Sequence, residues 1–374
     1  MKLLFYFGHP AQYLFLRETI RRLIQTEKHE IVILIKTKDV LESLVKADGI
    51  PYRNILMQER GHSKLAVACS LVQRLITIFP ILIRQRPDLL IGTDATLAQL
   101  GMLLGIDRIT IIEDDYEIIK TLAKLTFPFT QTILCPVVCG VGKWTSKKVG
   151  YTGYMKLGYL HPNVFKVDEG IRDRYGLNDS FVLVRLVRLT AHHDFGVKGI
   201  NGRLLDQLIS VVEGMGHKVV ISSESPLDEK YIQYRLEIQP TDMHQILAVA
   251  SLLVCDSQSM SVEAAVLGTP SIRYSSFAGR ISVLEELEHT YQLTYGIQPG
   301  QEEKLLAKAG ALLAEPHLKE DFQQKRMRML QEKIDVTAFL FWFIENYPAS
   351  AVLMKTTKID EKTSEHYWSA APNH

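Results

Sequence analysis

Short runs that are apolar from end to end, each followed by a stretch with helical spacing, constrain this chain most. Lys2–Phe7, Ile31–Ile35, Leu89–Gly92, Ile109–Ile112 and Thr132–Cys135 are such runs. A strand with one wet face alternates apolar and polar residues; a strand apolar throughout is covered on both faces. Interleaved with helices, such strands predict a parallel sheet with helices on either side. Helical spacing marks Tyr13–Gln25, Asp39–Ala47, Leu65–Arg84 and Ala95–Gly105, and Gly8-His9-Pro10, Gly49-Ile50-Pro51 and Gly92-Thr93-Asp94 read as turns.

The pattern restarts after the middle. Strands are expected at Phe181–Val187, His217–Ser222, Leu252–Cys255 and Pro270–Tyr274, with helices at Leu204–Met215, Asp242–Ala250, Met260–Leu267 and Glu302–Leu313 and a helical stretch over Lys319–Tyr347. At 374 residues the chain exceeds what one core usually serves. The expectation is α/β with two Rossmann-like doubly wound domains facing a cleft. They occupy residues 1–150 and 151–335, and the Gly- and Tyr-rich stretch Gly150–Phe165 connects them. Residues 336–350 form a C-terminal helix packing back on the first domain, and 351–374 a polar, flexible tail. Doubly wound sheets bind ligands beyond the carboxyl ends of their strands, so the loops after strands are where function is sought.

Composition narrows the classes. With Lys+Arg 43 against Asp+Glu 42 the chain lacks the broad positive field of a nucleic-acid binder. Cys69, Cys135, Cys139 and Cys255 are too few and scattered for a disulfide framework, and no second Cys/His pair completes a metal site with Cys135 and Cys139. Buried thiols in a reducing cytoplasm are expected. The apolar N-terminus is short and runs into Arg17, Glu18, Arg21 and Arg22, which suits a buried first strand better than a signal peptide.

The most informative stretch is Leu252–Tyr274, LLVCDSQSMSVEAAVLGTPSIRY. A strand ends at Asp256, Ser257 and Ser259 cover the turn, and a helix starts near Met260 or Ser261 with Glu263 on its first turn. Gly268 stops the helix. Helix N-termini attract anions, because their amide donors lack intrahelical partners and the dipole is positive there. A carboxylate one turn in suits a ribose diol. Ser259 or Ser261 as a plain N-cap, with Glu263 as an acid complementing the dipole, is the other physical reading.

This stretch resembles the nucleotide-sugar signature of the GT-B superfamily, and within it that of the non-hydrolysing UDP-N-acetylglucosamine 2-epimerases. Those enzymes carry Asp-Ser-Gly-Gly, a Glu one helical turn later, then Leu-Gly-x-Pro. Asp256, Ser257, Glu263, Leu267, Gly268 and Pro270 match without a gap, and Gln258 and Ser259 stand where the family has two glycines. The likeness extends more weakly over residues 1–345, through Phe5–Gln12, Gly92–Thr96 and Thr132–Pro136. The whole chain also resembles a prokaryotic domain-of-unknown-function family grouped with these enzymes. The resemblance implies that Ser257, Gln258 and Ser259 meet a diphosphate and that Glu263 holds the ribose.

Candidates for chemistry follow the other strands. Glu113, Asp114 and Asp115 end the run Ile109–Ile112, and clustered carboxylates can supply a general base or merely cap a turn. His9 precedes Pro10 in the first loop, where several inverting GT-B transferases place their base; Asp94 ends another strand. In the second half Arg185, Arg188, His192, His193 and Asp194 belong to or follow the first strand, where a cation would neutralise a leaving diphosphate. Adjacent histidines point apart on an extended chain, so no metal is assigned there. Lys198, and Arg273, Ser275, Ser276 and Arg280 after a later strand, are expected at the same end.

Together the resemblance implies a metal-independent glycosyltransferase that takes a nucleotide-diphosphate sugar, a UDP-sugar, with no cofactor beyond that substrate. The second domain holds the donor, and the first binds a glycan or lipid-linked acceptor in cell-surface polysaccharide assembly. The family's His-x-Glu-Ala-Gly and Arg-x-Glu-Asn patterns are missing here, which counts against an epimerase. An epimerase or hydrolase, and a non-catalytic sugar-nucleotide binder, remain the alternatives. A cytoplasmic location at the inner face of the membrane, peripheral membrane contact and a homodimer complete the expectations. Membrane contact rests on the apolar stretch Ala66–Arg86, in which Leu71, Leu75, Ile78, Phe79, Leu82 and Ile83 recur at helical spacing beside Arg74, Arg84 and Arg86. A helix buried on the first sheet reads equally well.

Overall fold

The computed structural model describes residues 1–37, 40–56, 64–187 and 199–356, with residues 64–69 as backbone only. In chain order the elements begin β1 (Lys2–Phe7), α1 (Pro10–Gln25), β2 (Glu30–Lys36), α2 (Leu41–Ala47), β3 (Arg53–Leu56), α3 (Lys64–Gln85), β4 (Leu89–Gly92) and α4 (Ala95–Leu103). Then come β5 (Asp107–Ile111), α5 (Lys120–Thr126), β6 (Thr132–Pro136), β7 (Lys148–Tyr151), α6 (Leu157–Leu160), α7 (Ile171–Tyr175), β8 (Phe181–Leu186), α8 (Gly202–Gly214) and β9 (Lys218–Ser223). The rest are α9 (Met243–Val249), β10 (Leu252–Cys255), α10 (Gln258–Leu267), β11 (Ser271–Tyr274), α11 (Ser282–Glu285), β12 (Tyr295–Ile297), α12 (Glu302–Leu313), α13 (Leu318–Glu332), α14 (Val336–Glu345) and α15 (Ala349–Thr356).

The chain forms two compact units, residues 1–164 with 333–374, and residues 165–332. Among the described residues the first holds a seven-stranded sheet ordered β3-β2-β1-β4-β5-β6-β7, the second a five-stranded sheet ordered β12-β11-β10-β8-β9. Every strand pair is parallel. The strand order reverses between β1 and β4 in one sheet and between β8 and β10 in the other, which are the switch points where doubly wound folds open a crevice.

The first boundary falls at Val164, not at 150. Lys148–Tyr151 pairs with β6 as the edge strand of the first unit's sheet, and the glycines after it serve packing rather than linkage. A Cβ on Gly153 would lie 2.6 Å from the Val336 side chain, and one on Gly158 2.7 Å from the Phe15 carbonyl oxygen. The expected helix over Lys319–Tyr347 is two helices, broken where Asp335 caps α14 by accepting the Ala338 amide at 3.0 Å. α14 belongs to the first unit: Phe339 packs 5.7 Å from Tyr151, which in turn stacks on Phe15 of α1. Part of the expected tail is helical, in α15; residues beyond 356 lie outside the described set.

On α3 the two faces differ. Ile78, Ile81 and Leu82 join Leu4, Tyr6, Leu34 and Leu90 in the core, while Val72, Ile76, Phe79 and Ile83 are exposed. Arg74 does not edge the exposed face as expected. It is buried, with its Nε 3.5 Å from Asp94 Oδ2, because a guanidinium turned inward there finds a carboxylate at the start of α4. Among the described residues no single helix is long and apolar enough to cross a membrane; α13 and α14 with α15 pass only as a pair bent by 118°.

Candidate functional site

In the second unit the carboxyl end of β10 is the most constructed point. Ser257 is extended (φ −94°, ψ 125°) and its Oγ accepts the Met260 amide at 3.2 Å, so it is the N-cap of α10. The helix therefore starts at Gln258, earlier than the sequence reading placed it. Glu263 consequently lies on the second turn rather than the first, too deep to act as a dipole-complementing acid. Its carboxylate is buried, with Oε1 3.5 Å from Ser259 Oγ and 3.5 Å from His244 Nε2 of α9. His244 was not singled out in the sequence, where a lone histidine on a helix carries no signal. Gly268 closes the helix at φ 73°, with Gln323 so near that a Cβ would sit 2.5 Å from its Nε2.

Neighbouring loops are tied to this turn. Gln258 Nε2 donates to Ser275 Oγ after β11 at 2.6 Å. Asp256, almost fully buried, accepts the Val187 amide after β8 at 2.8 Å. Burial pushes the Asp256 carboxyl up to about 6, against the lowering effect of its backbone hydrogen bonds. Arg185 is next to last in β8 and reaches β9: Nη1 donates to Ser222 Oγ at 2.8 Å and Nη2 to Glu224 Oε1 at 2.5 Å. Arg188, His192, His193, Asp194 and Lys198 lie outside the described residues.

In the first unit the sequence candidates share the carboxyl end of the sheet but not a common cluster. His9 caps α1, its Nδ1 accepting the Ala11 amide at 3.2 Å. A neutral imidazole that accepts at Nδ1 carries its proton on Nε2. In that state His9 is a donor rather than a base. Asp94 caps α4 through the Thr96 amide at 2.8 Å and pairs with Arg74. The three acids after β5 diverge. Glu113 accepts from the Met155 amide at 2.6 Å and from Lys156 Nζ at 2.7 Å, forming a buried ion pair. Asp115 accepts the Gly140 amide at 2.7 Å, and Asp114 is exposed. Lys156 is a residue the sequence reading missed, since nothing marks a lysine 43 positions away as a partner of Glu113. At the switch point lies a small hollow of about 10 Å³, no larger than a water molecule needs, lined by Tyr6, Phe7, Gln12, Gly92, Thr93 and Met155 among others. Among the described residues no three His, Cys, Asp or Glu side chains are placed to hold a metal ion.

No family model and no curated sequence matches the chain. Solved structures do. The UDP-GlcNAc 2-epimerase from Neisseria meningitidis bound to UDP-GlcNAc superposes with TM-score 0.68 at 13% identity, covering 92% of this chain and 100% of that one. Staphylococcus aureus MnaA with UDP gives 0.66 at 13% identity over 93% of this chain and 97% of that one. The spinosyn forosaminyltransferase SpnP gives 0.61 at 16% identity over 92% and 100%. Taken with the two parallel sheets and their switch points, these likenesses show that the chain has the GT-B fold.

Proposed function

We propose that the chain is an enzyme that binds a UDP-sugar in its second unit and transfers the sugar to an acceptor. The observation that carries this is the placement of Glu263. Its buried carboxylate stands beside Ser259 at the switch-point helix of a GT-B unit, where a ribose diol and a diphosphate would find an acceptor and a helix N-terminus side by side. Ser257, Gln258 and Ser259 supply the turn, and the dipole of α10 favours the charge that builds on the departing diphosphate. The bond from the sugar's anomeric carbon to the diphosphate breaks as the acceptor oxygen attaches. The acceptor's proton passes to a base. Of the three acids after β5, Asp114 is the exposed one. No metal is required in this scheme, so turnover is expected to survive EDTA. The exposed apolar side of α3 suits the lipid part of a lipid-linked acceptor in cell-surface assembly better than a free glycan.

A second reading, a UDP-sugar epimerase, is supported by the higher TM-scores of the epimerases, 0.68 and 0.66 against 0.61. Incubation separates the two. A thermal-shift screen against nucleotide sugars identifies the ligand, and NMR then follows that ligand with the protein alone. An unchanged sugar that is consumed only with an acceptor supports transfer; conversion without acceptor supports epimerisation. Activity indifferent to Asp94→Asn and Asp114→Asn would point away from both acids, and absence of any turnover to a binding protein.

A further inference from the structure

Buried polar atoms normally find partners, and an exception calls for a reason. Among the described residues of the second unit, the buried side-chain atoms without a hydrogen-bond partner are Arg185 Nε, Gln258 Oε1, and Nε, Nη1 and Nη2 of Arg273. All three residues stand at the carboxyl end of the sheet: Arg185 and Arg273 one residue from the ends of β8 and β11, Gln258 at the start of α10.

The register places them more closely. Arg185 is opposite Cys255, and Cys255 is opposite Arg273. Residues paired across parallel strands share a face, and neighbouring strands lie roughly 4.8 Å apart, so the two arginines flank Cys255 with backbones roughly 10 Å apart. Cys255 Sγ is 3.4 Å from the Ser257 carbonyl oxygen and 3.4 Å from Ser261 Oγ. The row therefore runs beneath the start of α10.

Arg273 is the costly member. It is wholly buried, and its guanidinium has no carboxylate oxygen within ion-pair distance among the described residues. Glu288 and Glu285 attract it from beyond ion-pair distance, and their oxygens are bonded to other groups. Glu288 Oε2 accepts the Gly296 amide at 2.9 Å; Glu285 accepts the Gly279 amide at 3.0 Å and lies 3.1 Å from His289 Nε2. Room for the guanidinium comes from Gly296, where a Cβ would sit 2.9 Å from Arg273 Nη2 and 3.0 Å from Glu288 Oε2. A glycine cradle around an unpaired buried cation is an expensive arrangement for a fold to keep when an apolar side chain would fill the space.

We infer that Arg273 is a positioning residue for the diphosphate of the ligand: its buried charge, without a hydrogen-bond partner among the described residues and set in the row under α10, raises the potential at the helix start. This deepens the nucleotide reading of the second unit and rests on it. A unit charge roughly 10 Å away in a protein interior changes the affinity for one anionic charge by about tenfold.

Calorimetry of the full chain with UDP and with uridine tests this. Arg273→Met is expected to weaken UDP at least about tenfold while changing uridine less than about twofold. It is also expected to melt no lower than the native chain, because an apolar side chain of similar volume relieves the buried charge. Arg273→Lys keeps the charge and is expected to retain most of the UDP affinity. Unchanged UDP affinity in Arg273→Met, equal weakening of UDP and uridine, loss of affinity in Arg273→Lys equal to that in Arg273→Met, or a lower melting temperature for Arg273→Met would each overturn the inference in favour of no role or a structural one. A native chain that binds neither UDP nor uridine would instead remove the nucleotide reading itself.

Discussion

The Asp256 carboxylate accepts the Val187 amide hydrogen at 2.8 Å, so a carboxylate ties the end of β10 to the end of β8 across the switch point of the second sheet. The bond holds Val187, just after β8, against Asp256, just after β10. It also buries an acid whose carboxyl burial pushes up to about 6.

That acid makes stability depend on pH in a defined window. With an unfolded pKa near 3.8 and a folded one of about 6, the native state keeps a proton the unfolded state has lost between these values. Stability contributed by Asp256 is therefore full below about pH 4, falls as pH rises, and is gone above about pH 6. Asp256→Asn keeps an oxygen for the Val187 amide and cannot ionise. The stability of Asp256→Asn relative to the native chain is expected to grow by up to about 3 kcal/mol between pH 4 and pH 7. Denaturant unfolding of both proteins across that range reads it, and a difference independent of pH would refute it.

Glu263→Ala is expected to bind UDP more than tenfold more weakly and to stay folded. Hydrogen bonds to a charged acceptor are worth about 1.5–3 kcal/mol each, and a ribose diol would make two. Circular dichroism checks the fold and calorimetry the affinity. An unchanged affinity in a folded variant would remove the ribose assignment, and with it the central element of the proposed donor site.

The buried pair of Glu113 and Lys156 gives a prediction about the first unit. Lys156→Met leaves the Glu113 carboxylate with the Met155 amide as its remaining partner among the described residues and is expected to cost about 3–5 kcal/mol. The double variant Glu113→Gln/Lys156→Met removes both charges and is expected to recover most of that loss. Additive losses in the double variant would mean that the two side chains contribute through packing rather than through each other.

What the sequence disclosed follows the range of the interactions. Strands apolar throughout, such as Leu89–Gly92 and Leu252–Cys255, announce a covered parallel sheet because the signal lies within a few residues. The α10 constellation was equally local. The start of that helix was misplaced by two or three residues, since Ser257, Ser259 and Ser261 are all competent caps and only backbone geometry distinguishes them. Contacts distant in the chain were invisible. Lys156 with Glu113, and His244 with Glu263, pair residues from separate elements. The boundary at 150 was misread because glycines that admit neighbours at close range look, in a sequence, like glycines of a linker. Arg74 was misread for a related reason: helical spacing gives the faces of α3 but not which one the sheet covers.

The exposed face of α3 supports the last prediction. Val72, Ile76, Phe79 and Ile83 follow one another by four, three and four residues, which places them in one stripe, and Ile76 is 69% exposed. The opposite face is already occupied by Ile78, Ile81 and Leu82 in the core. Arg84 and Arg86 are exposed at the end of the stripe, the arrangement of a helix that lies in a membrane interface. At about 1 kcal/mol for each basic residue near an anionic surface, the two arginines add about 2 kcal/mol to the apolar contribution and make it salt-sensitive. The protein is expected to co-sediment with anionic phosphatidylserine vesicles at low salt, less at high salt, and less again as Arg84→Glu/Arg86→Glu. Ile76→Asp/Phe79→Asp, which leaves the charges in place, is expected to abolish sedimentation with the vesicles while leaving the thermal stability of the chain unchanged. If the native protein stays in the supernatant at low salt, the stripe does not serve a membrane. Loss of a dimer in Ile76→Asp/Phe79→Asp by analytical ultracentrifugation would then assign it to a second copy of the chain.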